Sequence, residues 1–272
     1  MTVPARRFVR RREADGVVTV EFAGAKSMNI LGSEAVEELT AEFHELCRAD
    51  DCRVVVLRGA GDKAFIGGAD INEMARLDRG AGEVFIRRLA GLCEAIRACP
   101  APVIARLAGW CLGAGLEVAM SCDLRVAGAG ARFGMPEVAV GIPSVIHAAL
   151  LPPMIGASRT AWLLLTGETI DAGTAGRWGI VHDVVPDEEI DTRVVALAAR
   201  MAGFGPQVVR QQKRLLNKWL DMNPRAAIED SVEQFGLAFL TGEPQYHMKA
   251  FLEPRSGLIV IAPCDGVQLS RE

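Results

Sequence analysis

Apolar and polar positions alternate at the start of the chain. Phe8 to Arg12 and Val17 to Phe22 show this period of two around Asp15-Gly16, a dipeptide that favours a two-residue hairpin, and predict a pair of antiparallel strands. The period then changes. From Ser33 to Leu46 the apolar positions Val36, Leu39, Phe43 and Leu46 recur at helical spacing, with Ser33 as N-cap and Glu37 and Glu38 on the polar side. Arg53 to Arg58, built on a VVVL run, reads as a buried strand. Beyond it Gly82 to Ala98 reads as a helix that stops before Pro100, Pro102 to Leu107 as a strand, Gly113 to Met120 as a helix and Leu124 to Ala127 as a short strand. Strands alternating with helices predict an α/β fold with crossover connections.

After Gly141 the strand signal fades except at Ile180 to Val185. The remaining segments are helical in pattern: Ala148 to Ile155, Ser158 to Leu165, Asp187 to Met201, Pro206 to Leu220, Arg225 to Leu240 and Pro244 to Leu252. The pattern predicts a catalytic α/β core over residues 1–200, a helical subdomain over 201–255 whose apolar helices serve a subunit contact, and a tail over 256–272 that breaks the helical pattern.

Composition narrows the function. The chain has 272 residues, half of them hydrophobic, with 30 basic and 34 acidic side chains and a formal net charge of -4. That length buries one sizeable core. The slight acidity leaves no electrostatic footprint for nucleic acid, so no nucleic-acid partner is expected. The seven cysteines (Cys47, Cys52, Cys93, Cys99, Cys111, Cys122 and Cys264) form no C-x-x-C pair and read as reduced core residues of a cytoplasmic protein. No apolar run is long enough to span a bilayer. The Arg-rich start, Met1 to Arg12, lacks the hydrophobic segment of a secretion signal, and Glu13 and Asp15 leave little room for an organellar one.

Two glycine-containing turns are candidates for chemistry, Ala64 to Asn72 (AFIGGADIN) and Gly109 to Asp123 (GWCLGAGLEVAMSCD). Glycines there let backbone N–H groups face a ligand, and a helix N-terminus adds partial positive charge. Neither turn fits the dinucleotide fingerprint or the P-loop. Glu117 and Glu137 stand at apolar addresses, where a carboxylate takes up a proton or finds a partner. Two in one pocket can divide the roles of acid and base; the competing reading is that each caps a helix or pairs with a cation such as Arg125 or Arg132. His147 follows Glu137 closely and is a candidate for the same pocket. Lys26 and Lys63 are placed to meet a phosphate or, equally, solvent. No cluster has metal-ligand spacing and no G-x-S-x-G elbow occurs.

The ordered set KSMNIL (Lys26 to Leu31), KAFIGGADINEM (Lys63 to Met74), PVIARLAGWCLGAGLEVAMSCDLRVA (Pro102 to Ala127), ARFGMPEVAVGIP (Ala131 to Pro143) and LLLTGETIDAGTAGRWGIVHDVVP (Leu163 to Pro186) resembles the crotonase superfamily of enoyl-CoA hydratases and isomerases, over almost the whole chain to about Arg255. The resemblance implies a spiral of repeated ββα units with C-terminal helices that assemble trimers, commonly paired into hexamers. It implies an oxyanion hole from the N–H groups of Ala69 and Ala114 for a CoA thioester carbonyl, with Glu117 acting on water and Glu137 on the proton at Cα. It places Lys26, Ser27, Met28, Lys63, Gly68, Asp70, Ile71 and Asn72 along the CoA, with Phe251 or Arg255 toward a neighbouring subunit's CoA. An enoyl-CoA hydratase without metal or redox cofactor is the implied function. Isomerisation, C–C bond hydrolysis using His147 and non-catalytic acyl-CoA binding are the alternatives. The chain departs from the family pattern at GIPSVIHAALLP (Gly141 to Pro152), which predicts an altered acyl pocket that His147 enters. It departs again at Asn72, where a CoA-contacting lysine is common, and in a tail lacking basic residues.

Overall fold

The computed structural model describes residues 6–252. The tail 256–272, Arg255 and Cys264 lie outside the described residues. Strand β1 (Val9–Ala14) pairs antiparallel with β2 (Val17–Phe22) through Asp15 and Gly16, which both take positive φ, as the tight hairpin requires. Helix α1 (Ser33–Leu46) follows, with Gly32 rather than Ser33 at the N-cap. Ser33 lies one position inside the helix because its N–H and hydroxyl are both taken by the Glu73 carboxylate.

The chain then repeats one unit. Strand β3 (Val54–Gly59) leads to β4 (Ala64–Ile66) and helices α2 (Ile71–Met74) and α3 (Arg79–Ala98). Strand β5 (Val103–Leu107) leads to β6 (Trp110–Leu112) and α4 (Ala114–Ser121). Strand β7 (Leu124–Gly128) leads to β8 (Arg132–Gly134) and a 3-10 turn at Pro136–Val140. After a second 3-10 turn at Ile146–Leu150 come α5 (Leu151–Ile155), α6 (Ala157–Thr166), β9 (Thr169–Asp171), α7 (Ala172–Trp178) and β10 (Asp183–Val185). The predicted helix Ala148 to Ile155 is thus split, and the strand predicted from Ile180 starts at Asp183.

Within each unit the first strand joins a six-stranded sheet, ordered β1-β2-β3-β5-β7-β10, and the second joins a four-stranded sheet, ordered β4-β6-β8-β9. Successive units stack with parallel pairing, which produces the ββα spiral. Side-chain alternation along β3 explains how the large sheet is covered on both faces. Val55 and Leu57 face the core with Leu39, Phe43 and Leu92, whereas Val54 and Val56 face α8 (Ile190–Ala202). Ile190, Val194, Ala198 and Ala202 form the matching stripe, one residue every four.

Helix α9 (Pro206–Trp219) is tied to this core by a buried cation: Lys213 Nζ pairs with Asp123 at 2.7 Å and donates to the Ala101 carbonyl at 3.1 Å. Helices α10 (Pro224–Ala238) and α11 (Glu243–Leu252) bury no residue, and Ile228, Val232, Phe235, Tyr246 and Phe251 stand exposed. Among the described residues no helix is long and apolar enough to cross a membrane.

Candidate active site

The site begins with two paired strands of the small sheet. β4 and β6 run parallel, with Ala64 opposite Trp110 and Ile66 opposite Cys111, so their carboxyl ends release two turns side by side. Gly115 lets α4 start against β4, since a Cβ there would stand 2.1 Å from the Ile66 carbonyl oxygen. The first turn is pinned by Leu31, which donates to Gly68 O at 2.9 Å and accepts from Asp70 N at 2.8 Å. That bridge uses the groups on either side of Ala69 and leaves the Ala69 N–H turned away from it. Ala114 is the first residue of α4, so its N–H is one of the donors a helix cannot satisfy internally. Among the described residues neither N–H has a protein acceptor, and both residues line one cleft of about 630 Å³.

Glu117 lies in the first turn of α4, a helix buried along its whole length, and is only 4% exposed. Its Oε1 accepts from the Ala148 N–H at 2.9 Å. Burial pushes its pKa from 4.5 up to about 8; the Ala148 N–H opposes the rise, the Glu137 charge adds to it and the His147 N–H also opposes it. The carboxylate of Glu137, carried by the 3-10 turn after β8, accepts from Ser144 Oγ at 2.8 Å through Oε2. Its Oε1 occupies the space where a Cβ on Gly113 would be, 2.4 Å away, and Gly113 itself holds φ at 52°. Both carboxyls line the cleft with the two free N–H groups.

The other cleft-lining groups are largely apolar. Phe85, Ile86 and Leu89 come from one face of α3, Met74 and Leu77 from the segment before it, and Ile142 and Val145 from the stretch after Glu137. Such a lining suits an acyl chain. A second cleft of about 640 Å³ lies between the β1–β2 hairpin and α8 and holds none of the predicted site residues. Two of its three arginines are paired within the protein: Arg106 with Asp62 at 2.8 Å and Asp191 at 2.5 Å, and Arg58 with Asp191 at 3.4 Å. Among the described residues, no group of three His, Cys, Asp or Glu is arranged to hold a metal ion.

Of the residues singled out in the sequence, Gly68, Ala69, Ile71, Ala114, Glu117 and Glu137 meet at the cleft. Lys26, Ser27, Met28 and Lys63 form a neighbouring shelf that does not line it. Lys63 Nζ donates to Ser27 Oγ at 3.1 Å, and Met28 O accepts from Gly67 N at 2.8 Å. Asp70 caps α2 by accepting from Asn72 N at 2.8 Å, and Asn72 turns its amide back to the same carboxylate. Phe251 is exposed on α11.

One expectation is corrected and one competing reading is excluded. The imidazole of His147 does not enter the cleft: it is buried against α3, with Nε2 2.9 Å from Glu94 Oε1, and only its backbone faces Glu117. Nor do Arg125 or Arg132 pair with either glutamate. Arg125 is spent on the carbonyls of Ile180 and Cys122, and Arg132 on those of Gly130 and Ala131. The sequence reading missed Ser144 and the Ala148 N–H. Ser144 lay in plain view seven residues after Glu137, whereas a backbone donor has no residue signature. It also missed the α3 face, although Gly82, Phe85 and Leu89 recur there at helical spacing.

Comparison with known proteins agrees with this geometry. A family profile described as enoyl-CoA hydratase/isomerase matches residues 12–257. A short-chain-enoyl-CoA hydratase of Clostridium acetobutylicum is 32% identical over 88% of this chain and 92% of its own. A crotonyl-CoA hydratase of Syntrophomonas wolfei is 34% identical over 85% and 89%. The crystal structure of an enoyl-CoA hydratase from Bacillus anthracis superposes with a TM-score of 0.88 at 28% identity, covering 93% of this chain and 98% of that one. On sequence and fold together, the chain belongs to the enoyl-CoA hydratase/isomerase family, within the crotonase superfamily.

Proposed function

We propose that the protein adds water reversibly across the double bond of a 2-enoyl-CoA thioester to give a 3-hydroxyacyl-CoA. The observation that carries this reading is the convergence on one apolar cleft of two carboxyls and two backbone N–H groups that have no acceptor among the described residues. The thioester carbonyl sits between the N–H groups of Ala69 and Ala114. As water attacks Cβ, electron density moves through Cα to the carbonyl oxygen, where these fixed donors and the N-terminal end of α4 stabilise it. Loss of one such donor typically costs about 3–4 kcal/mol of transition-state stabilisation.

Glu117 and Glu137 work as a pair that holds one proton. In hydration Glu117 takes a proton from the attacking water and Glu137 delivers one to Cα, so the hydroxyl joins Cβ, hydrogen joins Cα and the pair ends with its proton on Glu117. In dehydration Glu117 returns that proton to the departing hydroxyl and Glu137 removes the one at Cα. A buried Glu117 that keeps a proton up to about pH 8 is set for the second direction.

The chemistry needs proton transfer and charge stabilisation only, so no metal or redox cofactor is assigned. Lys26, Ser27, Met28 and Lys63, with Gly68, Asp70, Ile71 and Asn72, form the edge along which the CoA lies. The exposed apolar faces of α10 and α11 fit a homotrimer, alone or paired into a hexamer, with Phe251 toward a neighbour. Six described cysteines are free thiols, which fits a cytoplasmic setting.

The test is loss of conjugated-thioester absorbance when a panel of 2-enoyl-CoAs meets wild type, Glu117→Gln and Glu137→Gln. Turnover by wild type with a fall of about a hundredfold or more in each variant is expected. Binding of the esters with no turnover of any would overturn the reading in favour of a non-catalytic binder, and retention of double-bond isomerisation in Glu117→Gln would move it to an isomerase.

A further inference from the structure

Ile146 holds φ at 41°, a conformation that a β-branched residue rarely adopts, so the turn leading into Ile146–Leu150 is strained and must be held by its surroundings. The turn is closed by its own bond from the Ala148 N–H to the Val145 carbonyl at 2.9 Å, and the same N–H and the His147 side chain tie it to its surroundings. Inward, Ala148 N–H donates to Glu117 Oε1 at 2.9 Å, and the His147 N–H faces the same carboxyl. Outward, the His147 side chain lies 2.9 Å from Glu94 Oε1, through Nε2. A carboxylate only accepts, so Nε2 carries the proton, and Nδ1 is buried with no partner among the described residues. A second proton would create a buried N–H with no acceptor. Burial accordingly holds the His147 pKa below its ordinary value, although Glu94 pulls it the other way.

We propose that the Glu94–His147 contact is a strut that fixes the turn whose N–H groups hold the Glu117 carboxyl, making His147 a positioning residue for proton transfer. The inference rests on the hydratase reading. It takes His147 from a candidate for meeting substrate to a side chain that acts from behind the site, through its own backbone. The charged and titratable groups around Glu117 are Glu137 from the 3-10 turn and Cys93 from α3. Around His147 they are Glu94 and Arg97, both on α3.

Glu94 has a solvent-exposed side chain, so Glu94→Ala removes the strut without opening the core. Its expected effects are a roughly tenfold fall in kcat, a KM within about twofold of wild type and an alkaline limb displaced upward by about one pH unit. The sign follows from the bonds: N–H donors favour the charged carboxylate, and their loss lets Glu117 keep its proton to higher pH. Glu94→Gln, which retains an acceptor, restores most of the kcat, and His147→Gln repeats the Glu94→Ala pattern. In the same variants without substrate, infrared titration of the carboxyl band that Glu117→Gln deletes reads the same upward shift.

An unmoved band and unmoved limb in both Glu94→Ala and His147→Gln would overturn the strut, as would abolition of turnover by His147→Gln with Glu94→Ala unaffected. Failure of wild type to hydrate any enoyl-CoA would strike the reaction instead, and the infrared titration would still decide the strut.

Discussion

The two walls that bring the carboxyls together are built differently. Glu117 stands on α4, every residue of which is buried, and its carboxyl is gripped by a backbone N–H. Glu137 stands on a 3-10 turn that buries no residue, held by one serine hydroxyl and flanked by Val138, Val140 and Val145, all at least 40% exposed. The inner wall is thus completed by the core of a single chain, and it imposes a low-dielectric setting on Glu117. The outer wall leaves apolar surface open for a ligand to cover. The inner carboxyl therefore takes its proton affinity from the fold, while the outer one keeps contact with what enters.

The largest expected effect follows from the burial of Glu117. Between pH 4.5 and about 8 the folded protein binds one proton that the unfolded chain has released, so stability falls as pH rises through this window. Below 4.5 both states are protonated and the penalty vanishes; above about 8 both are ionised and the penalty is complete. At pH 7 it amounts to about 3 kcal/mol. Glu117→Gln keeps the shape and an acceptor for Ala148 N–H but cannot ionise. It should therefore melt at a higher temperature than wild type at pH 7 to 8, with the gap closing toward pH 4.5, even as turnover collapses. Parallel melting curves across that range would show that α4 does not impose the penalty.

Gly113 is the place where the two walls meet. A methyl group there would lie 2.4 Å from Glu137 Oε1, on a residue whose φ of 52° already disfavours any side chain. Gly113→Ala should cost about 1–3 kcal/mol of stability through the backbone alone. It should also lower kcat at least tenfold, because Glu137 must move to make room. Turnover close to that of wild type would mean that the outer wall relocates its carboxyl freely and that its position is set by substrate.

Sequence and structure part company along the same line. Helices α1 and α3 and strand β3 were legible because long runs such as Val36, Leu39, Phe43 and Leu46 repeat their period several times. The strands of the small sheet were not, since three residues such as Ala64–Ile66 or Arg132–Gly134 cannot display an alternation, and two of these strands lie within the segments read as glycine turns. Both glutamates were legible as carboxylates among apolar residues, and the two turns as places where N–H groups are freed. Direction was not legible. His147 and Ala148 are adjacent, yet the imidazole points to α3 while the neighbouring N–H points to Glu117, and no residue type announces that division. Ser33 carries a hydroxyl able to cap α1, yet the Glu73 carboxylate, 40 residues away in the chain, accepts the N–H at that end of the helix.

The smallest effect belongs to the exposed apolar rim. Val140 is 51% exposed and lines the cleft, so Val140→Ser removes little from the folded chain itself and should change stability by less than about 0.5 kcal/mol. If the acyl chain covers this side chain, the same substitution forfeits about 1 kcal/mol of apolar burial in the complex, a rise of roughly fivefold in KM. The rise should grow with acyl length, since only chains long enough to reach the rim gain from it. An equal KM change for short and long enoyl-CoAs would mean that the acyl group never touches Val140. The α3 face with Phe85 and Leu89 would then be left to hold the chain.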